Sequence, residues 1–109
     1  MNEVRPTIST HVLDTDLGRP AAGIGVRLER LDGAAVTVAG EGRTDADGRI
    51  ASLLTGALVA GTYRLTFDLT QRGTFFRSVS LDLQVEDTSQ SYHVPLLLAP
   101  FAMTSYRGS

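Results

Sequence analysis

Val79-Ser80-Leu81-Asp82-Leu83-Gln84-Val85 alternates apolar and polar side chains at every step. A period of two places Val79, Leu81, Leu83 and Val85 on one face and Ser80, Asp82 and Gln84 on the other, as a half-buried strand requires. The same period recurs on both sides of this stretch. Upstream, Gly61-Thr62 opens a strand in which Tyr63, Leu65 and Phe67 face one way, and Ile24, Val26 and Leu28 alternate within residues 24–31. Asp32-Gly33 is a hairpin signal leading into a strand over residues 36–44. Residues 7–14 form a first strand, with Ile8, Thr10 and Val12 on one face and Ser9, His11 and Leu13 on the other. Downstream, Glu86 to Gln90 is a polar turn. A strand with His93 follows, then a bend at Ala99-Pro100-Phe101 and a last strand from about Met103 to Arg107. Short strands punctuated every ~8–12 residues predict an all-β fold, a two-sheet sandwich of seven or eight strands. Residues 51–60 permit a helical turn, but Gly56 and the shortness of the run weigh against it.

Composition bounds the function. The 109 residues suit one domain spanning 1–109, with no internal repeat or linker. A net charge of −2 argues against nucleic acid as a partner, because phosphate binding draws its affinity from an excess of cations. No stretch is long and apolar enough for a membrane span, and the start carries no apolar leader, so the expected address is cytoplasmic. The absence of cysteine removes disulfides, thiolate nucleophiles and thiolate zinc sites, and two histidines alone make a poor metal set. No metal or other cofactor is therefore expected. All ten basic residues are arginine. Any cation in a site is thus a planar, permanently charged guanidinium, suited to flat, oxygen-rich molecules.

Both histidines, His11 and His93, lie in strand-like stretches near opposite ends of the chain. Taken singly, each is more readily a satisfied structural residue than a functional one. Imidazole nevertheless titrates near neutrality, which makes the pair the leading candidates for acid–base work. Asp45-Ala46-Asp47-Gly48 has a superficial likeness to a calcium loop. Counting from Asp45, however, the fifth position is Arg49 and the twelfth is Gly56, so the ligands are missing. The tetrapeptide reads as a turn whose aspartates bond to nearby amides and which delivers Arg49 to its far side.

Together these pieces resemble a known family. Thr10-His11-Val12-Leu13-Asp14 with Gly18-Arg19-Pro20-Ala21, Gly42-Arg43-Thr44-Asp45-Ala46-Asp47-Gly48-Arg49, Tyr92-His93-Val94-Pro95-Leu96-Leu97-Leu98 and Tyr106-Arg107-Gly108-Ser109 occur in the order found in the 5-hydroxyisourate hydrolases, the transthyretin-related proteins of purine catabolism. The resemblance covers nearly the whole chain. It favours the enzyme over a non-catalytic transthyretin-type carrier of a planar small molecule, which lacks both histidines and the terminal tetrapeptide.

The resemblance implies a transthyretin-like sandwich assembled as a homotetramer, a dimer of dimers with sites in a channel between them. It also implies ring-opening of 5-hydroxyisourate by water, giving 2-oxo-4-hydroxy-4-carboxy-5-ureidoimidazoline. His11, Arg49, His93 and Ser109 are the implied catalytic residues, Ser109 through its hydroxyl or α-carboxylate. His11, Arg49, Tyr106 and Arg107 are implied to bind substrate. Two departures stand out. The stretch from Phe67 to Val79 is shorter than the family's, so its short helix is expected to be reduced or absent. Met103-Thr104-Ser105 replaces the usual Tyr-Ser-Thr, and Ala99 stands where serine is frequent.

Overall fold

A computed structural model describes residues 5–108. Nine strands form among them: β1 (Ile8–Asp14), β2 (Arg19–Pro20), β3 (Gly25–Asp32), β4 (Ala35–Arg43), β5 (Arg49–Ile50), β6 (Gly61–Asp68), β7 (Ser78–Val85), β8 (Tyr92–Ala99) and β9 (Ala102–Ser105). One sheet runs β2-β1-β8-β9, with β5 also paired to β1, and the other runs β4-β3-β6-β7. The shortest dimension of the molecule is 20 Å. That matches two sheets about 10 Å apart with side chains on their outer faces.

The alternation read from the sequence decides which faces meet. Ile8 and Val12 of β1, Val26 and Leu28 of β3, Leu65 and Phe67 of β6, and Leu96 and Leu98 of β8 all point into the shared core. Thr10 is a polar residue on that inner face, and it is satisfied: its hydroxyl donates to the Val94 carbonyl at 2.6 Å. An unpaired hydroxyl there would cost about 1–3 kcal/mol.

The strand count exceeds the expected seven or eight because β2 and β5 are two-residue pairings, too short to show a period. The last strand also stops at Ser105 instead of running to Arg107. No helix forms among the described residues. Residues 51–60 are instead a run of bends tied down by backbone bonds from Leu53 to Ile8 (2.9 Å) and from Thr55 to Ala39 (3.1 Å). Gly40 permits this close approach, since a Cβ there would overlap the Leu53 carbonyl. Between β6 and β7 the shortened segment is a tight loop, closed by a 2.9 Å bond from Leu69 N–H to the Arg77 carbonyl. Arg72 anchors it to the end of β1 through Asp14 at 2.7 Å.

Candidate active site

The first sheet turns one face to the core and one outward. On β1 the outward residues are Ser9, His11 and Leu13, because Ile8, Thr10 and Val12 are buried. On β8, Tyr92, Val94, Leu96 and Leu98 point inward, so His93 points outward. The two strands are parallel, with Ser9 beside His93 and His11 beside Pro95. Residues 84 positions apart are thereby brought to adjacent places on one face. On its other edge β1 pairs with β5, which sets Arg49 opposite His11. Directly opposed residues share a face, so the guanidinium joins the two imidazoles there.

The turn before Arg49 is what fixes this arrangement. One carboxylate oxygen of Asp45 accepts from the backbone N–H groups of Asp47 and Arg49, each at 2.9 Å. The carbonyl of Asp47 then receives a 2.8 Å hydrogen bond from His11 Nε2. A carbonyl can only accept, so Nε2 carries the proton and the unprotonated nitrogen of neutral His11 is Nδ1. Gly48 completes the turn with φ +76°, and its carbonyl accepts from Val12 N–H at 2.7 Å. A Cβ at Gly48 would run into the Val12 carbonyl. Gly48→Ala is therefore expected to cost at least about 1–2 kcal/mol for the left-handed backbone alone. At 4–8 °C per kcal/mol for a domain of this size, the melting temperature should fall by roughly 5 °C or more. An unchanged melting temperature would show that the turn relaxes freely.

Gly108 returns to the same strand. After β9 the backbone regains its register at Gly108, which bridges His93 and donates its N–H to the His93 carbonyl at 2.7 Å. A Cβ at Gly108 would sit 2.7 Å from His93 Cδ2. Glycine here leaves the ring its place. Gly108→Ala should tilt the imidazole and reduce turnover while barely moving the melting temperature, as activity and thermal scans on the same preparation will reveal. Tyr106 is 54% exposed. Arg107, expected to bind substrate, is not gathered with the histidines on this face. Its guanidinium carbon lies 4.5 Å from the centre of the Tyr92 ring, and Nη2 donates to Gln90 Oε1 at 3.0 Å. Tyr92 faces the core side of β8, so Arg107 steadies the tail on the side away from His93. Ser109 lies outside the described residues.

Burial holds the His93 pKa below the ordinary value of 6.5, and its electrostatic neighbours His11 and Arg49 push it further down. A neutral ring at neutral pH follows. No sequence motif marks Ser9, whose hydroxyl lies 2.8 Å from His93 Nδ1. Its spacing of two from His11 marked the shared face, but the parallel register that sets it against His93 belongs to the tertiary fold. A groove of about 640 Å³ elsewhere is lined by Gly25, Arg27, Glu29, Glu41, Arg43 and Asp68 among others, on the second sheet. It contains no imidazole, and its opposed charges largely compensate each other.

Residues 8–108 match the HIUase/Transthyretin family. A 5-hydroxyisourate hydrolase of Deinococcus radiodurans is 43% identical over 115 residues, covering 95% of this chain and 97% of that protein. Among solved structures, the 5-hydroxyisourate hydrolase of Klebsiella pneumoniae superposes with a TM-score of 0.82 at 34% identity, over 95% of this chain and 99% of that one. Sea bream transthyretin, solved with thyroxine, superposes with a TM-score of 0.85 at 25% identity, over 93% of each chain. The backbone fold is thus common to enzyme and carrier, and sequence identity is higher to the hydrolases. By fold, motif order and near-complete overlap, this chain is a member of the HIUase/transthyretin family.

Proposed function

We propose that this protein hydrolyses 5-hydroxyisourate, with His93 as general base and Arg49 as the electrostatic partner. The observation that carries this reading is the convergence of His11, Arg49 and His93 on one outer sheet face, with His93 kept neutral. It is supported by the closeness to relatives named for that activity. In the reaction, His93 accepts a proton from a water molecule as the water oxygen bonds to a ring carbonyl carbon. Negative charge moves to the carbonyl oxygen, where the guanidinium of Arg49 stabilises it. Collapse of this intermediate breaks the ring C–N bond, the protonated His93 returns its proton to the departing nitrogen, and the acid formed at the carbonyl carbon ionises to a carboxylate on the opened product. His11 has Nε2 committed to the Asp47 carbonyl, so it positions the substrate.

A sheet face is too flat to enclose a small molecule, and ligand sites are normally concave. Leu13, Pro95 and Leu97 share this face with the histidines, which makes it an apolar surface with a polar centre. Packing two such faces together creates the missing wall, in keeping with a homotetramer whose sites lie between dimers. The test is the decay of freshly made 5-hydroxyisourate, followed by its ultraviolet absorbance. Acceleration by the protein supports the hydrolase. Unaltered decay together with tight binding of the compound would point to a carrier.

A further inference from the structure

We infer that Ser9 is a positioning residue that fixes the ring plane and tautomer of His93, leaving Nε2 as the nitrogen that meets water. The inference rests on the assignment of His93 as base and deepens it. Ser9 Oγ lies 2.8 Å from His93 Nδ1 in a partly buried setting, directly across the β1–β8 ladder. Both residues sit on rigid strands, so neither partner needs a loop movement to keep the contact.

A hydroxyl can donate or accept, which gives two arrangements. If Ser9 donates to Nδ1, the proton of the neutral ring sits on Nε2. No lone pair then faces the water, and protonating the ring would force the hydroxyl to turn away. If instead Nδ1–H donates to Ser9 Oγ, the Nε2 lone pair is free. When Nε2 takes a proton from water, the Nδ1–H bond to Ser9 persists without rearrangement. Only the second arrangement serves a base through its whole cycle. The backbone strengthens it from another side: Gly108 N–H bonds the His93 carbonyl, and the absence of a side chain at Gly108 leaves the ring edge open. The charged or titratable groups that bear on this ring are His11 and Arg49, both on the β1–β5 side. Neither offers Nδ1 an alternative hydrogen-bond partner, since Nδ1 is held by Ser9. Orienting partners of metal-bound histidines carry about 10–100-fold of function when removed, which sets the scale expected for an oriented base.

The experiment compares Ser9→Ala and Ser9→Thr with the unaltered protein, using steady-state kinetics and imidazole nitrogen NMR of the free protein. Expected for Ser9→Ala is a kcat lowered about 10–100-fold with KM little changed, as suits loss of an orienting partner. The His93 nitrogen shifts should move from an Nδ1–H form to a tautomer mixture. Ser9→Thr keeps the hydroxyl and should retain most of the turnover and the Nδ1–H signature. The inference is overturned if Ser9→Ala leaves kcat unchanged, or if it lowers kcat without altering the His93 tautomer. An unaltered protein whose His93 is protonated on Nε2 would overturn it as well. Because the NMR measurement needs no substrate, failure of the hydrolase reading is distinguishable from failure of this one.

Discussion

Replacing His93 by alanine should lower kcat for 5-hydroxyisourate by about 10²–10⁴-fold, the usual worth of a positioned general base. The size of the effect follows from the absence of a substitute. His11 is the only other imidazole, and its Nε2 is bound to the Asp47 carbonyl. The loss should appear in kcat and kcat/KM together, because the interaction exists only as the proton moves. The fold should survive, since His93 points out of the core and its backbone bonds on β8 remain. The variant also has a signature in stability. In the native protein the His93 pKa lies below its unfolded value of 6.5, so the unfolded chain binds the proton more tightly. Its contribution to stability is complete above about pH 6.5 and is lost as pH falls from there through the lower folded value. His93→Ala should flatten that part of the acid limb of stability, measurable by urea titration at pH 7 and pH 5. Turnover within tenfold of the unaltered protein would remove His93 from the chemistry.

Replacing Arg49 by glutamine should lower kcat/KM by about 10²–10³-fold, the typical cost of one charge-stabilising donor at a developing oxyanion. It should also alter the pH profile. Arg49 is one of the causes of the low His93 pKa, after burial and His11. Removing its positive charge makes the imidazolium less costly, so the acid limb of kcat/KM should move toward neutrality. Burial and His11 remain, so the movement is partial. Arg49→Lys separates the two roles: it preserves the charge and hence the acid limb, but loses the planar fork that matches a flat, oxygen-rich substrate. Arg49→Gln with unaltered turnover, or with an acid limb moved away from neutrality, would contradict this assignment.

What the sequence disclosed depended on how local each signal was. The alternations through β1, β3, β6 and β7 told apart core and solvent faces correctly, because each strand carries that choice in its own residues. The Asp45–Gly48 turn was equally legible, since an aspartate followed two or three residues later by glycine closes on its own backbone. Pairings β2 and β5 were not, for two residues show no period, yet β5 is what brings Arg49 to His11. The bend run over residues 51–60 was ambiguous for another reason. Its shape is set by bonds to Ile8 and Ala39, distant in sequence. Motif resemblance named His11, Arg49, His93 and Arg107 alike, whereas the stacking of Arg107 on Tyr92 depends on which side of β8 the chain crosses. Ser9 was hidden in the same way: a serine in a strand is unremarkable until a parallel neighbour sets a histidine beside it.

A crystal structure of the assembled protein with a flat, non-hydrolysable analogue of 5-hydroxyisourate bears on all of these residues at once. The analogue should lie on the outer face of the β1–β8 sheet. His93 Nε2 should be within about 3 Å of the attacking water or its mimic, and the Arg49 guanidinium should be at the carbonyl oxygen. An analogue bound instead in the groove beside Arg27 and Glu41, or seated among the strands with both imidazoles turned away from it, would contradict the assignment.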